Sequence, residues 1–474
     1  MSSLIITAVV AVLVTVLLRS TQERGLRMSA AVWIAFAWLW FSSSRNPTAW
    51  LQPQGGSKGS AESAYDEGSA FDRNILTGLL LLGVVTLARR SKRTTALLAA
   101  NAPVILFFLF CALSATWSDH WDISIKRWFR GVGDVVMVMV ILTETEWAGA
   151  VKWVYIRLAC ILIPLSIVFF RWYPALGRSY NIHDGKVSVT GVTDDKNLLG
   201  AVCTLLSLAV IWGMIDEFRR DGRRKKWLLI GYGLVIAMAG YLINLADSAT
   251  ATACFVQGSV VLILASMPRI YKRSKRIHLL AGTMLGFSVI NLFFGSSLLQ
   301  LLGRNSTLTG RTDLWQLCLT LVRNPVVGAG YESFWLGHRL AAMWAYIPGV
   351  NQAHNGYLEI YLNLGWVGVV LLAAILIAGY RNITRAVRRG EAAASLRLAF
   401  FLVACIANCT EAGFKMMHPM WIAILLACMA QPALASASRK VSGYAKKAKR
   451  IEGQADFANA LRAGSLELQR ERVR

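Results

Sequence analysis

Two arginines bracket a short polar segment whose composition suits the binding of an anion. Arg304 and Arg311 flank small hydroxyl residues, and a short helix is predicted just after them, from Leu314 to Val322. Backbone amides at a helix start, with guanidinium groups beside them, form a site suited to phosphate. The alternative is a pair of membrane-surface arginines beside a Ser/Thr helix cap, and the sequence leaves both interpretations open.

A histidine and an asparagine stand at the predicted mouth of a hydrophobic helix. His354-Asn355 is followed nine residues later by a segment with two glycines, Gly365 and Gly368, and Glu359 lies about one and a half helical turns beyond the pair. This arrangement brings an imidazole and an amide to the boundary between water and lipid. The alternative is an interfacial helix cap, with the glycines forming a narrow face for a neighbouring helix.

A third polar segment lies at the entry of an earlier hydrophobic helix. Lys196 and Asn197 stand side by side there and can coordinate a phosphate or a sugar hydroxyl. The alternative is an ordinary helix N-terminus that is capped by Asp194 or Asp195.

A fourth segment combines aromatic and cationic side chains. Trp117 and Trp121 precede Lys126, Arg127 and Arg130. Tryptophan is typical of the belt at a membrane interface, and its ring is also a flat platform for sugars.

Long apolar blocks must position these four segments. Of the 474 residues 55% are hydrophobic and 16% are charged, well below the roughly 25% of charged residues in an ordinary soluble domain. A block of about 18 or more apolar residues predicts a transmembrane helix. We therefore expect an all-α integral membrane protein, a polytopic bundle of 12–13 transmembrane helices with one large outward loop at 298–356. The predicted blocks are 4–18, 28–43, 74–88, 96–114, 132–143, 153–170, 197–215, 227–245, 250–267, 278–297, 357–379, 397–413 and 419–435.

The ends of the chain complete the predicted organisation. Residues 1–436 form the membrane domain, and residues 437–474 form a basic cytoplasmic tail. The first block lacks a preceding basic region and a small-residue cleavage site, so it is predicted to be an anchor rather than a signal peptide.

The distribution of Lys and Arg predicts the orientation. Most of these 50 residues lie in the connections after odd-numbered blocks and in the tail, so the positive-inside rule places those segments in the cytoplasm. All four polar segments then share the opposite face. Topology and anionic lipid account for the net charge of +24, and nucleic-acid binding is not expected.

Other classes of chemistry lack their motifs. The sequence has no Walker A loop, no dinucleotide fingerprint and no zinc-protease or serine-hydrolase motif. The eight cysteines show no C-x-x-C pair, so neither a disulfide framework nor a zinc site is predicted. No segment supplies a compact carboxylate cluster for a divalent metal.

Four acidic residues interrupt or border the apolar blocks. Ionisable groups in such places are costly and more often functional or paired than idle. The sequence does not say which of them pair. They are Asp134, Asp247, Glu359 and Glu411.

Taken together, the motifs resemble the bacterial O-antigen ligase and polymerase family, and they are most similar to its exopolysaccharide-polymerase branch. The likeness covers residues from about 60 to 435, with an O-antigen ligase-like core at about 190–380. It rests on the spacing of His354-Asn355 from the two glycines, on Gly310-Arg311-Thr312-Asp313-Leu314-Trp315, on Asp195-Lys196-Asn197 and on Trp117-Ser118.

The resemblance implies a metal-independent, inverting membrane glycosyltransferase of the GT-C type that needs no cofactor. Such an enzyme takes a glycan from an undecaprenyl-diphosphate carrier at the periplasmic face of the inner membrane. It transfers that glycan to a hydroxyl of an acceptor glycan or of lipid A-core, in exopolysaccharide or lipopolysaccharide biosynthesis. The implied partners are these two substrates, the lipid bilayer and other polysaccharide-export proteins.

The resemblance also implies roles for individual residues. His354 would deprotonate or orient the acceptor hydroxyl, and Arg311 would stabilise the leaving diphosphate. Substrate-binding roles are expected for Arg304, Lys196, Asn197, Arg127, Asn355, Glu359, Trp117 and Trp315.

Two alternatives remain at this level. A ligase would transfer finished chains to lipid A-core or to protein, whereas the favoured polymerase joins one lipid-linked repeat to another. A transporter or flippase of polyprenyl-linked glycan is the alternative from another class. Transporters tend to place ionisable groups near the bilayer midplane with repeat symmetry. The polar groups here lie in outward loops, which favours glycan transfer.

Overall fold

A computed structural model describes residues 3–21, 28–51, 69–180, 187–219, 226–301 and 309–431. Tertiary contacts divide the chain into Met1–Ala430 and Gln431–Arg474. The second unit lies almost entirely outside the described residues, as does Arg304. The predicted boundary between membrane domain and tail therefore stays a prediction.

Most of the described chain is helical. The helices of its first part are α1 Ser3–Ser20, α2 Ala31–Ser42, α3 Pro47–Leu51, α4 Ala70–Arg89, α5 Ser91–Ala100, α6 Ala102–Ser114, α7 Trp121–Leu142, α8 Trp147–Trp172 and α9 Pro174–Gly177. A 3-10 turn, Ala115–Trp117, follows α6. The antiparallel strands β1 Arg178–Tyr180 and β2 Val187–Val189 pair with Arg178 opposite Val189.

The second part of the described chain carries the remaining helices. They are α10 Lys196–Arg219, α11 Lys226–Leu245, α12 Ala249–Ser266, α13 Pro268–Tyr271, α14 Ser274–Leu301, α15 Thr309–Thr320, α16 Gly337–Tyr346, α17 Gly356–Arg388, α18 Ala394–Ala407 and α19 Pro419–Cys428.

The prediction of an all-α polytopic membrane protein is confirmed. Each of the thirteen apolar blocks overlaps a helix, because a long apolar run in lipid must satisfy its backbone hydrogen bonds internally. Within the described chain, six helices are long and apolar enough to span a membrane: α4, α8, α10, α11, α12 and α17. The pair α5 and α6, bent by 86°, makes a seventh. These seven are fewer than the predicted 12–13. Four of the other blocks form apolar helices of only 10–17 residues. The remaining two lie in α7 and α14, which have 22 and 28 residues but are not among the helices apolar enough to span.

The helices differ in how much of their apolar surface other helices cover. The hydrophobic window of α10 is 78% buried, whereas that of α4 is 22% buried. Helix α18 is buried along almost its whole length and packs against α12 and α19. A helix that is apolar all round is buried in protein or in lipid, so α10 and α18 are central and α4 is peripheral.

Helix α17 is broken at Gly365, which has φ +61° and ψ −162°. The segment 325–330 packs into this break. A Cβ on Gly365 would lie 2.3 Å from the backbone of Val326. The glycine serves a close approach of a loop rather than the helix–helix face expected from the sequence.

The large loop contains more helix than its sequence predicts. Helix α15 begins at Thr309, five residues before the predicted start, so Arg311 lies in its first turn instead of ahead of it. Helix α16, whose buried residues include Leu340 and Met343, was not predicted.

Candidate functional site

One carboxylate, that of Glu411, joins three residues that the sequence singled out separately. Its Oε1 lies 3.4 Å from Nη2 of Arg311. Its Oε2 lies 3.4 Å from Nδ1 of His354 and accepts a hydrogen bond of 3.2 Å from the side-chain amide of Asn197. The Glu411 side chain is 18% exposed, and those of Arg311 and His354 are 25% and 30% exposed. The group is therefore accessible from outside but shielded from bulk water.

The turn after α18 holds Glu411 against the start of α17. The backbone N–H of Gly356 donates to the carbonyl oxygens of both Asn408 and Glu411, at 2.8 and 3.0 Å. A Cβ on Gly356 would lie 1.9 Å from Oδ1 of Asn408. Glycine is thus required for the turn to come close enough for Glu411 to reach His354.

Hydrogen bonds fix both backbone polar groups of Ala353, the residue before His354. The backbone N–H of Ala353 donates to Glu359, and its carbonyl oxygen accepts from the indole N–H of Trp315 at 2.8 Å. Glu359 also accepts from the indole N–H of Trp335. His354 itself has φ +50°, a conformation rare outside glycine. Such a backbone persists only where its surroundings hold it, and Ala353 supplies that anchor.

Two predicted binding residues therefore lie beside His354 as supports. Glu359 is buried, so it orients the His354 segment rather than offering an exposed surface to sugar. Trp315 donates its indole N–H to the same segment.

Asn355 acts as the cap of α17. Its side-chain oxygen accepts hydrogen bonds from the backbone N–H groups of Tyr357 and Leu358, at 3.0 and 3.1 Å. This is the helix-cap alternative considered for the His354-Asn355 pair.

The start of α10 combines a helix cap with two side chains that were predicted to bind substrate. The carboxylate of Asp195 accepts from the backbone N–H of Leu198 at 2.8 Å, which caps the helix. Asn197 reaches Glu411, and Lys196 makes no hydrogen bond or ion pair with any described residue. The capping alternative and the binding hypothesis are thus compatible at this helix end.

Arg127 and Trp117 both make their contacts within the protein. Arg127 is buried and donates to the carbonyl oxygen of Glu332 at 2.5 Å. The Trp117 ring packs on Phe110, with 5.8 Å between centroids. Its indole nitrogen is buried and has no hydrogen-bond partner in the described part of the chain. Neither arrangement favours the direct substrate contact that the resemblance implied.

A cavity of about 230 Å³ opens beside the Glu411 group. Asn197 and Glu411 form part of its wall, and Lys415 and His418 lie there too. Burial, reinforced by the charge of Lys415, lowers the pKa of His418 to about 3. The neutral ring accepts from the backbone N–H of Met420 at 3.2 Å and so caps α19. The ring of His418 is thus used as a helix cap, and His354 is the histidine of this group that contacts Glu411.

Sequence reasoning missed Glu411 as a site residue and Lys415 altogether. Glu411 carried one usable signal, because it is an acid at the rim of an apolar block. Lys415 carried none. Over the described ranges, no three His, Cys, Asp or Glu side chains lie together in a way that could hold a metal ion.

The sequence of the chain is similar to known proteins. Residues 199–373 match a family model described as O-antigen ligase. Over 290 residues the chain is 24% identical to the exopolysaccharide production protein ExoQ of Rhizobium meliloti (strain 1021). That alignment covers 58% of this chain and 64% of the relative's length. The family match includes Arg311 and His354 and ends before Glu411.

Proposed function

On the premise that this chain is a relative of the O-antigen ligase and polymerase family, we propose that it is a glycan-transferring enzyme of the bacterial inner membrane. It takes a glycan from undecaprenyl diphosphate at the periplasmic face and attaches it to an acceptor hydroxyl. The observation that carries this proposal is the meeting of His354, Arg311 and Asn197 at Glu411. A base and a cation within reach of one carboxylate suit a transfer from a phosphate leaving group.

His354 acts on the acceptor in this proposal. In the neutral tautomer whose Nδ1–H donates to Glu411, Nε2 carries no proton and can take one. The contact of 3.4 Å is long, as catalytic hydrogen bonds often are before substrate binds. Glu411 then orients the ring and stabilises the imidazolium that forms.

Arg311 acts on the donor. One of its nitrogens approaches Glu411, and its remaining donors have no partner among the described residues. A guanidinium group can hold a diphosphate through paired hydrogen bonds. Fixed positive charge in a shielded site stabilises the charge that develops on the leaving group. Lys196, beside Asn197, is the next cation on this face.

The transfer balances as a single displacement. The acceptor oxygen attacks the anomeric carbon and forms the new glycosidic bond, while its proton moves to Nε2 of His354. The bond between the anomeric carbon and the diphosphate oxygen breaks, and the diphosphate leaves as an anion beside Arg311. Attack opposite the leaving group inverts the anomeric centre, and cationic side chains carry the role that a metal has in other transferases.

A polymerase is favoured over a ligase. The similarity to an exopolysaccharide production protein supports polymer formation from lipid-linked repeats. Deleting the gene separates the two activities. Single lipid-linked repeats accumulate if a polymerase is lost, whereas long lipid-linked chains accumulate if a ligase is lost.

The central test is glycan transfer by the purified protein in detergent, where no compartments exist and transport cannot mimic transfer. We expect His354→Ala to lower the rate by about 10²–10⁴-fold, the usual contribution of a general base. His338→Ala is the matched control, because His338 is an exposed histidine of the same large loop, and it retains activity. Normal transfer by His354→Ala would remove His354 from the mechanism.

A further inference from the structure

We propose that the cavity beside Glu411 is the subsite for the acceptor sugar and that it takes one neutral, hydroxyl-rich ring. This inference rests on the proposed function and deepens it, because it assigns the two substrates to different sides of Glu411. The cavity is bounded by the starts of α10 and α12, by the end of α2 and by the segment that joins α18 to α19.

The position of the cavity links it to the reacting centre. Asn197 and Glu411 lie in its wall, and the same two side chains are hydrogen-bonded to each other at 3.2 Å. Glu411 also contacts His354. A ring in the cavity therefore lies against the carboxylate that orients the proposed base.

The size of the cavity limits the ligand. Its volume of about 230 Å³ is below the roughly 300–1,000 Å³ typical of pockets for drug-sized ligands. A single sugar ring suits this space, whereas a polyprenyl chain or a long glycan must remain outside.

The charge of the wall opposes a diphosphate. Three carboxylates lie in it, those of Asp194, Asp195 and Glu411, against one cation, Lys415. Arg45 pairs with Asp194 at 3.9 Å and Arg311 pairs with Glu411 at 3.4 Å, but neither arginine lines the cavity. Like charges that face each other cost free energy, so the diphosphate binds on the Arg311 side and the cavity rejects anionic sugars such as uronates.

The other polar groups of the wall suit hydroxyls. Ser42, Ser44, Thr250 and Gln352 supply hydroxyl and amide groups that can both donate and accept. The amide nitrogen of Gln352 has no partner in the described part of the chain, since only its oxygen accepts from Lys415. Hydroxyl and amide groups pair with the hydroxyls of a neutral ring without a net charge on either side.

Ala201→Leu tests the proposal by filling the cavity without removing a polar group. Ala201 lines the cavity. Ala249 is an exposed alanine at the start of α12 and is absent from the lining, so Ala249→Leu is the matched control. In the transfer assay we expect Ala201→Leu to raise the acceptor KM at least tenfold. The rise in thermal midpoint on adding undecaprenyl diphosphate stays unchanged in both variants.

Two results would overturn the subsite. One is an unchanged acceptor KM in Ala201→Leu; the other is loss of the undecaprenyl diphosphate effect in that variant, which would assign the cavity to the donor. A wild-type protein that transfers no glycan would instead contradict the proposed function.

If the wild-type protein transfers no glycan, the subsite can still be tested by measuring ligand binding. Methyl glycosides of glucose and galactose at millimolar concentration are compared with glucuronate and galacturonate. We expect stabilisation of the wild type and of Ala249→Leu by at least one neutral glycoside, no stabilisation by the uronates, and loss of the effect in Ala201→Leu. Stabilisation by uronates alone, or by no glycoside, contradicts the proposal.

Discussion

At the scale of residues, Glu411 is the side chain that connects the other candidates. Three polar residues, His354, Arg311 and Asn197, lie at the ends of separate segments. Within the described part of the chain, no hydrogen bond joins any two of them. Each contacts Glu411 instead. A carboxylate fixes the tautomer of a histidine through the ring nitrogen that it binds, so in the proposed mechanism Glu411 leaves Nε2 of His354 to face the acceptor.

The first prediction at this scale concerns the charge of Glu411. Glu411→Gln keeps the shape of the side chain but removes the charge that stabilises an imidazolium. We expect the rate of glycan transfer to fall by about 10²-fold or more, with little change in the thermal midpoint.

The control for this variant is Glu391→Gln. Glu391 forms an exposed ion pair with Arg389 at 3.4 Å, and exposed pairs contribute little. Wild-type rates in Glu411→Gln would show that the carboxylate has no role in orienting His354.

At the scale of elements, the broken helix α17 ties the large loop to the His354 segment. The backbone N–H groups of Trp366 and Val367 donate to the carbonyl oxygens of Pro325 and Val326, at 3.0 and 3.1 Å. On the other side of the break, the N–H of Gly330 donates to the carbonyl oxygen of Asn363 at 2.8 Å. Backbone groups freed by a helix break need new partners. The loop provides them and becomes fixed to the helix that begins beside His354.

Gly365→Ala tests this coupling. The φ and ψ of Gly365 lie in a region that costs a residue with a side chain about 1–3 kcal/mol, and the close approach of Val326 adds a steric cost. We expect a lower thermal midpoint and a lower transfer rate, since the loop must leave the break.

Gly240→Ala provides the comparison for Gly365→Ala. Gly240 lies within α11, and a Cβ there would meet no atom within 4 Å. Alanine in a helix is favoured over glycine by about 1 kcal/mol, so this variant is stable and active. If Gly365→Ala matched it, the break would have no structural role.

At the scale of the whole molecule, side-chain contacts join residues that are predicted to lie on the same face of the membrane. The Glu411 group draws Asn197 from the start of the seventh block and Arg311 and His354 from the connection after the tenth, and Glu411 itself lies near the end of the twelfth. On the opposite face, Arg90 and Ser29 both bond to Glu144, and these three residues lie at the predicted cytoplasmic ends of their blocks. This segregation agrees with the predicted division of the connections between two faces, and which of the two is cytoplasmic stays a prediction.

Cysteine labelling in intact cells tests the orientation. Tyr346→Cys places a thiol at a position 75% exposed in the large loop. Arg389→Cys places one at a side chain 70% exposed on the predicted cytoplasmic face. A maleimide that cannot cross the inner membrane should label the first variant, and the second only after permeabilisation.

The background of this experiment is low. Seven of the eight native cysteines are buried and Cys409 is partly buried, so the unmodified protein serves as the baseline. Labelling of Arg389→Cys in intact cells would reverse the orientation and remove the Glu411 group from the periplasm.

The sequence by itself determined the features that depend on neighbouring residues. Apolar runs predicted where helices occur, because a backbone in lipid has no other way to satisfy its hydrogen bonds. Residue type and spacing were enough to select His354, Arg311 and Asn197 as candidates, and the resemblance to a family was readable from short motifs.

Only the tertiary structure decided which residues act together. Glu411 meets His354, Arg311 and Asn197 across 57, 100 and 214 residues of chain, and no periodicity reports a contact at such distances. The same holds for Gly365, whose purpose depends on a loop some forty residues earlier that packs into the helix. Local patterns predict elements, whereas packing among elements sets the partners of a side chain and therefore its chemistry.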